Sequence, residues 1–350
     1  MSESYPLGVY SRSGAPRRIG LRSGDEVLDL ADAAKQQGHH WAPMAESSTL
    51  NALMAGGPDV WAELREAAPE LDGPRYPIVD VELHLPFEVA DYVDFYTSEH
   101  HATRLGRLFR PGQDPLPPAW HDQPLGYHGR AGTVVVSNTP VRRPTGRYRT
   151  ADGDVVIGPT RRLDVEVEVG FVVGVPSPLG ATIGEADAMQ HVFGVVLVND
   201  WSARDLQAFE TVPLGPFLGK SFQTSVSAWV TPIAALAPAM LPDGGYDIDL
   251  ELRVNGELLS SPPYRTMRWS PAQMLAHLTS NGASVRTGDL FASGTVSGPN
   301  DDEVGSLIEL PGQPFLADGD EVVITGTAPD GSRGGIDLGE VRARVLPAQA

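Results

Sequence analysis

From Asp91 to the C-terminus the chain is cut into short apolar runs of strand length, and turn residues separate most of them. The runs lie at 132–136, 155–157, 163–173, 192–198, 248–254, 290–292, 307–310, 321–324 and 341–345. Asp152-Gly153 and Asn255-Gly256 are hairpin signals, the second between the alternation Ile248/Leu250/Leu252/Val254 and the run 257–259. One helix is well marked: Ser270 caps it, Pro271 opens it, Met274, Leu275 and Leu278 share a face, and Asn281-Gly282 stops it. With 38 Gly and 31 Pro in 350 residues and few helical patterns, the expected class is mainly β with some α. No internal repeat or heptad interrupts this pattern.

Residues 1–86 read as a separate small unit. Strand signals at 8–11 and 18–21 precede the turn Ser23-Gly24-Asp25-Glu26 and a further strand at 27–30. Apolar residues then fall at helical spacing over 50–54 and 60–68, and Pro74, Pro77 and Pro86 mark a stiff passage onward. The boundary is expected near Pro86, leaving 87–350 as the larger unit.

Charge and composition exclude several classes of function. A formal net charge of −19, from 26 basic against 45 acidic residues, argues against a nucleic-acid partner, which needs a basic surface. No apolar run approaches the length of a membrane span. The opening Met1-Ser2-Glu3-Ser4-Tyr5-Pro6 lacks the parts of a signal peptide, so the expected location is the cytoplasm. The absence of cysteine removes disulfides, thiolate catalysis and thiolate metal sites, so a bound metal must be held by oxygen or imidazole.

Within that frame, Leu163-Asp164-Val165-Glu166-Val167-Glu168 alternates acid with apolar residue, placing three acids on one face of a strand. The simplest reading is a half-buried edge with a wet polar face. Two further acids, Asp200 after the run 192–199 and Asp94 within Asp91-Tyr92-Val93-Asp94-Phe95-Tyr96, sit in apolar surroundings where an unpaired carboxylate is costly. The other reading is therefore an all-oxygen site of Asp94, Glu166, Glu168 and Asp200, suited to a hard cation such as Mg²⁺ or Ca²⁺. Spacing alone leaves both open.

Adjacent His100 and His101 point apart on either a helix or a strand, so at most one faces a given site. A lone histidine is more often a satisfied structural group than a catalyst, but beside such a site it is a natural general base. Tyr96 and Arg110 flank it and can hold a substrate carboxylate. Arg204 and Gln207 lie three apart, and Lys220 follows the Gly/Pro-rich 213–219 segment. These three are candidate donors to an oxyanion; the alternative is salt bridging to Asp205 or Glu210. The lysine segment lacks a complete phosphate-loop pattern.

The motifs Asp91-Tyr92-Val93-Asp94-Phe95-Tyr96, Pro124-Leu125-Gly126-Tyr127-His128-Gly129-Arg130, residues 199–205, 212–222 and Ala292-Ser293-Gly294-Thr295 resemble the fumarylacetoacetate hydrolase family, in order and over nearly the whole chain. The resemblance implies a small N-terminal SH3-like barrel, a larger rolled mixed β-sheet domain and a homodimer. It makes Asp94, Glu166, Glu168 and Asp200 ligands of Mg²⁺ or Ca²⁺, with Lys220 and Thr224 also associated with the metal. For Lys220 that means a backbone or water-mediated contact, because an ammonium repels a cation. It makes His101 the base that activates water, Glu309 the acid that orients it, and Arg204, Gln207 and Lys220 the oxyanion donors. Tyr96, Arg110, Tyr127, Gln207 and Thr295 become substrate contacts.

The implied reaction is hydrolysis of a carbon–carbon bond in a small 1,3-diketo acid. For the family's parent substrate, 4-fumarylacetoacetate, the products are fumarate and acetoacetate, in tyrosine and phenylalanine catabolism. Thr211 stands where the family has a substrate-contacting tyrosine, which opens the acyl pocket and removes a polar contact. Acylpyruvate hydrolysis with altered acyl specificity, or decarboxylation or hydration of an oxo acid, is the alternative.

Overall fold

The structure is a computed structural model that describes residues 4–331 and 335–349. Its spine is one long sheet. The strand order is Arg75–Pro77, Glu26–Asp29, Arg18–Ser23, Leu7–Ser11, Trp229–Pro232, Val192–Asp200, Val167–Val173, Leu290–Ala292, Tyr92–Phe95 and Gly126–His128. Neighbours are mostly antiparallel, with Leu290–Ala292 and Tyr92–Phe95 parallel. A second, five-stranded sheet runs Glu257–Ser260, Asp249–Val254, Glu321–Ala328, Ile336–Leu346 and Val141–Arg142.

The expected SH3-like barrel and rolled sheet are not formed: among the described residues no sheet closes on itself or curls. The N-terminal strands instead extend the long sheet, because Leu7 pairs with Val230 and Gly8 with Trp229. Gly8 permits this join, since a Cβ there would lie 2.6 Å from the Trp229 ring.

The long sheet is buried on both faces. Val165, Val167, Val169, Phe171, Val195 and Leu197 pack with Ile248, Leu250, Leu252, Val322 and Ile324 of the second sheet. Phe193, Val196, Val198, Val230, Leu290 and Ala292 pack on the other face with Trp41, Leu50, Leu53 and Met54 of the N-terminal helices. Double-sided burial explains why 192–198 reads as a continuous apolar run instead of alternating. No helix among the described residues is long and apolar enough to cross a membrane.

Local signals map closely onto elements. Helix Pro271–Thr279 has the capping box of Ser270 with Gln273, and Met274 and Leu275 are buried beneath it. At the hairpin after Asp249–Val254, Asn255 and Gly256 both have positive φ, 53° and 84°, as a two-residue primed turn requires. Two readings are corrected. The 163–173 run is broken: Leu163–Asp164 pairs with Ser202–Ala203, and Val167–Val173 pairs with Val192–Asp200. Residues 307–309 form a 3₁₀ turn where a strand is expected, because Asp164 accepts hydrogen bonds from the Leu307 and Ile308 amides.

In the N-terminal arm, Asp29 caps helix Leu30–Gln36 through the Asp32 amide and accepts hydrogen bonds from the Tyr10 hydroxyl, at 2.6 Å, and from Arg18. Burial opposes its ionisation, but Arg18 and Tyr10 outweigh burial and hold its pKa below the usual carboxylate value. A depressed folded-state pKa adds stability above the unfolded value of about 3.9, and that stability is lost as pH falls through the folded value. Asp29→Asn should cost about 1–2 kcal/mol at pH 7, allowing for the partly exposed Arg18. Urea unfolding should show the gap from the parent narrowing below about pH 4; a gap that widens there contradicts this account.

Candidate active site

The two parities of the sheet decide where the acids go. Val93 and Phe95 face the core between the sheets, as do Val167, Val169 and Leu197. Their strand neighbours Asp94, Glu168 and Asp200 therefore share the opposite face on Tyr92–Phe95, Val167–Val173 and Val192–Asp200. Glu166 joins them from the break before Val167, where its amide donates to Asn199 Oδ1 at 3.2 Å and its carbonyl accepts from the Asp200 amide. Each of the four offers an oxygen within 4.8 Å of the others. All four are buried, so the wet-edge reading of this strand does not hold.

Two cations enter the same space. Lys220 Nζ contacts Glu166 Oε2 and lies 2.7 Å from Asp200 Oδ2. Arg204 donates through Nε to Asp164 Oδ2 at 2.7 Å, and its Nη1 lies 2.8 Å from Glu166 Oε1 and 3.2 Å from Gln207 Oε1. The alternative partners are engaged elsewhere: Asp205 accepts from the Thr160 hydroxyl and the Arg161 amide, and Glu210 from the amides of Phe217 and Gly219. Gly219 lets the lysine loop lie against helix Arg204–Glu210, since a Cβ there would stand 2.7 Å from the Gln207 nitrogen.

The charges do not balance. Burial and neighbouring acids push the carboxyls of Asp94 and Glu168 well above their usual range, whereas Glu166, despite burial, is held below it by Lys220 and Arg204. Asp94 Oδ1 and both carboxylate oxygens of Glu168 have no hydrogen-bond partner. A buried polar atom left so costs about 1–3 kcal/mol, and more when charged. An all-oxygen set with unsatisfied, buried acceptors fits a hard divalent cation, and Lys220 alone does not reach Glu168. Thr224 donates to Asp200 Oδ1 at 2.9 Å and Tyr127 to Asp200 Oδ2 at 2.8 Å, so both act on a carboxylate of the cluster.

Beside the cluster, helix Glu99–Phe109 begins at Ser98, whose hydroxyl accepts from the His101 amide. This first turn buries His101, while His100 on the neighbouring helical position is half-exposed. His101 Nδ1 is 2.7 Å from Glu309 Oε1, and Nε2 is 4.0 Å from Glu166 Oε1. Burial opposes ionisation of Glu309, but His101, Ser306 and Ser297 hold it below the usual value. An ionised Glu309 accepts a hydrogen bond from Nδ1–H, which leaves the lone pair on Nε2, the nitrogen turned to Glu166. Arg104, one helical turn on, donates to Glu309 Oε2 at 3.4 Å and to the carbonyls of Gly298, Pro299 and Asn300.

Other candidate residues spread around this centre. The Tyr96 ring meets His101 edge to face, with centroids 5.6 Å apart. Arg110 donates to the Pro115 carbonyl and makes no contact with the acids, although its charge reaches Tyr96. Thr295 is buried in the extended segment that runs past Val167. Thr211 turns its hydroxyl onto the Gln207 carbonyl at 2.6 Å. A cleft of about 290 Å³ is lined by Phe217 and by Tyr127 and Lys220, the two residues that hydrogen-bond Asp200 Oδ2. The larger groove of about 1410 Å³, lined by Arg17, His84, Trp229 and Arg342, contains none of these groups.

Sequence reasoning gave no role to Asp164, Arg104, Ser297 or Ser306. Asp164 shares the acid alternation, and Arg104 stands three residues after His101 on its helix, so both carried a positional signal; the serines carried none.

This chemistry has close parallels among known proteins. Residues 92–346 match the family model described as fumarylacetoacetate hydrolase C-terminal, and residues 3–71 match fumarylacetoacetase N-terminal. The chain is 41% identical to human fumarylacetoacetase, covering 99% of this chain and 96% of that one. It is 38% identical to the fumarylacetoacetase of Oryza sativa subsp. japonica, with 99% and 94% covered. Among solved structures, the fumarylacetoacetate hydrolase of Exiguobacterium antarcticum shares the fold, with a TM-score of 0.67 at 20% identity over 99% of this chain and all of that one. The chain belongs to the fumarylacetoacetate hydrolase family.

Proposed function

We propose that this chain hydrolyses the carbon–carbon bond between the two carbonyl groups of a 1,3-diketo acid, converting 4-fumarylacetoacetate to fumarate and acetoacetate in tyrosine catabolism. The observation that carries the reading is the buried Glu309–His101 pair, whose Nε2 lies 4.0 Å from Glu166, one of the four clustered acids. Identity of 41% to human fumarylacetoacetase across nearly the whole of both chains supports the substrate.

Asp94, Glu166, Glu168 and Asp200 hold Mg²⁺ or Ca²⁺, which when bound supplies a Lewis acid to the enolised dicarbonyl. Thr224 and Tyr127 orient Asp200 by hydrogen bonds to its two oxygens. Lys220 moderates repulsion between Glu166 and Asp200 and presents its remaining protons to substrate. His101 Nε2 takes a proton from the attacking water, and Glu309 stabilises the imidazolium that results. The hydroxide adds to the distal carbonyl. Arg204 Nη2, buried without a partner, supplies a donor to the developing oxyanion, assisted by Gln207 and Lys220. Collapse breaks the carbon–carbon bond, and the departing carbon takes up the proton that His101 Nε2 received from water, which restores the neutral base. Tyr96, Arg110, Tyr127 and Thr295 contact the substrate ends.

Thr211 favours a second specificity on the same machinery. Its hydroxyl is already bonded to the helix, so it offers the acyl group neither a ring nor a free donor. Acylpyruvates are the natural comparison. The active form is a homodimer, a reading supported by the apolar loop carrying Val212, Leu214 and Phe217, which are 86%, 95% and 67% exposed beside the cleft.

An absorbance assay on fumarylacetoacetate and a panel of acylpyruvates tests the reaction. Turnover should vanish with chelator and return with Mg²⁺ or Ca²⁺, and His101→Ala should lose about 10²- to 10⁴-fold in kcat. Unchanged turnover of every diketo acid by His101→Ala contradicts the mechanism. Thermal unfolding tests the cation independently of activity. Mg²⁺ or Ca²⁺ at a hundredfold excess over Kd should stabilise the parent by about 2.7 kcal/mol and leave Glu168→Gln unshifted. Without metal, Glu168→Gln should unfold no lower than the parent, because it replaces an unpartnered buried carboxyl, crowded by Asp94 and Asp200, with a neutral amide. A clearly lower melting point for that variant would count against a vacant-acceptor cluster.

A further inference from the structure

Alternation places Asp164 with Glu166 and Glu168, yet the fold diverts it from the acid cluster. Leu163–Asp164 pairs with Ser202–Ala203 in register Asp164↔Ser202, which sets Asp164 beside the helix that opens at Arg204. Its side chain is fully buried. Oδ1 accepts from the amides of Val165 and Leu307, both at 2.8 Å, and Oδ2 accepts from Arg204 Nε at 2.7 Å and the Ile308 amide at 3.2 Å. Both oxygens are thereby pinned by backbone, and the oxygen facing Arg204 has a fixed position.

That fixed oxygen decides how the guanidinium is used. Arg204 commits Nε to Asp164 and Nη1 to Glu166 and Gln207, leaving Nη2 as its unpartnered nitrogen. A guanidinium facing a carboxylate alone prefers a two-point pairing. Freed from Asp164, Arg204 would turn a second nitrogen onto Glu166 and use up the donor that the reaction needs. We propose that Asp164 is a positioning residue for Arg204: it anchors Nε so that Nη2 stays available to the substrate oxyanion. The proposal rests on the hydrolase reading above.

Asp164→Asn removes this contact with the least change in shape. With its oxygen retained toward the Val165 and Leu307 amides, the variant presents an NH₂ to Arg204 Nε and to the Ile308 amide, donor against donor; the flipped amide would oppose the Val165 and Leu307 amides instead. Steady-state kinetics on Asp164→Asn, Arg204→Ala and the double variant, with circular dichroism as a folding check, read the coupling. Asp164→Asn should lower kcat by roughly 100-fold with KM changed by less than about threefold. The double variant should fall within about threefold of Arg204→Ala, because Asp164 then has nothing left to position. Losses that multiply overturn the proposal.

Should Asp164→Asn fail to fold, Arg204→Ala with Asp164 intact decides the matter. Guanidinium at non-denaturing concentration should restore turnover saturably, while ammonium at equal ionic strength should not; no recovery by guanidinium overturns the assignment. Parent turnover in the same assay separates the two claims. A parent inactive on every diketo acid fails the hydrolase reading and the role of Asp164 with it, whereas an active parent with multiplying losses fails Asp164 alone.

Discussion

Five carboxylates, those of Asp94, Asp164, Glu166, Glu168 and Asp200, are buried around a single region of the long sheet, and water reaches none of them freely. An ionised carboxylate in such a place is stable only when paired or bound to a cation. Arg204 answers Asp164 and part of Glu166, and Lys220 answers the rest of Glu166 and Asp200. Asp94 and Glu168 remain in deficit, with three oxygens unpartnered. The need to neutralise this residue of negative charge links the fold to the chemistry. Strand register brings the acids together, and the region they leave is suited to a hard dication.

The sheet that imposes this register must be rigid, and its rigidity comes from burial on both faces. Valines at alternate positions of Val167–Val173 lock one face onto the second sheet, while the N-terminal helices cover the other through Trp41, Leu53 and Met54. The N-terminal strands add to the same structure through the join of Leu7–Ser11 to Trp229–Pro232. They thus brace the sheet from its far side instead of standing apart as a barrel. A slip of one residue in Val167–Val173 or Val192–Asp200 would send Glu168 or Asp200 into the apolar core, so register there is strongly specified.

Much of this was legible in the residues, for identifiable reasons. The capping box at Ser270 and the primed turn at Asn255-Gly256 depend on a few neighbouring residues, and both formed as read. The clustering of Asp94, Glu166, Glu168 and Asp200 was visible only as acids in apolar company, because pairing between distant strands leaves no local mark. The same limit hid the N-terminal join, where Gly8 reads as an ordinary strand glycine until Trp229 is placed against it. Asp164 was left without a role because alternation predicts a face and not a partner. Its true neighbours, Arg204 and the 307–308 amides, are 40 and more residues away. Glu309 was expected within a strand, and long-range hydrogen bonds from Asp164 turned its segment into a 3₁₀ turn.

The central claim is that the acids form one cation site and that Asp164 stands outside it. Anomalous diffraction from crystals equilibrated with Mn²⁺, a scattering stand-in for the lighter hard cations, addresses it most directly. The account predicts a single strong peak coordinated by oxygens of Asp94, Glu166, Glu168 and Asp200, with Asp164 still bonded to Arg204 and not ligating. No peak among those acids at saturating Mn²⁺, or a peak that takes Asp164 as a ligand, would contradict it.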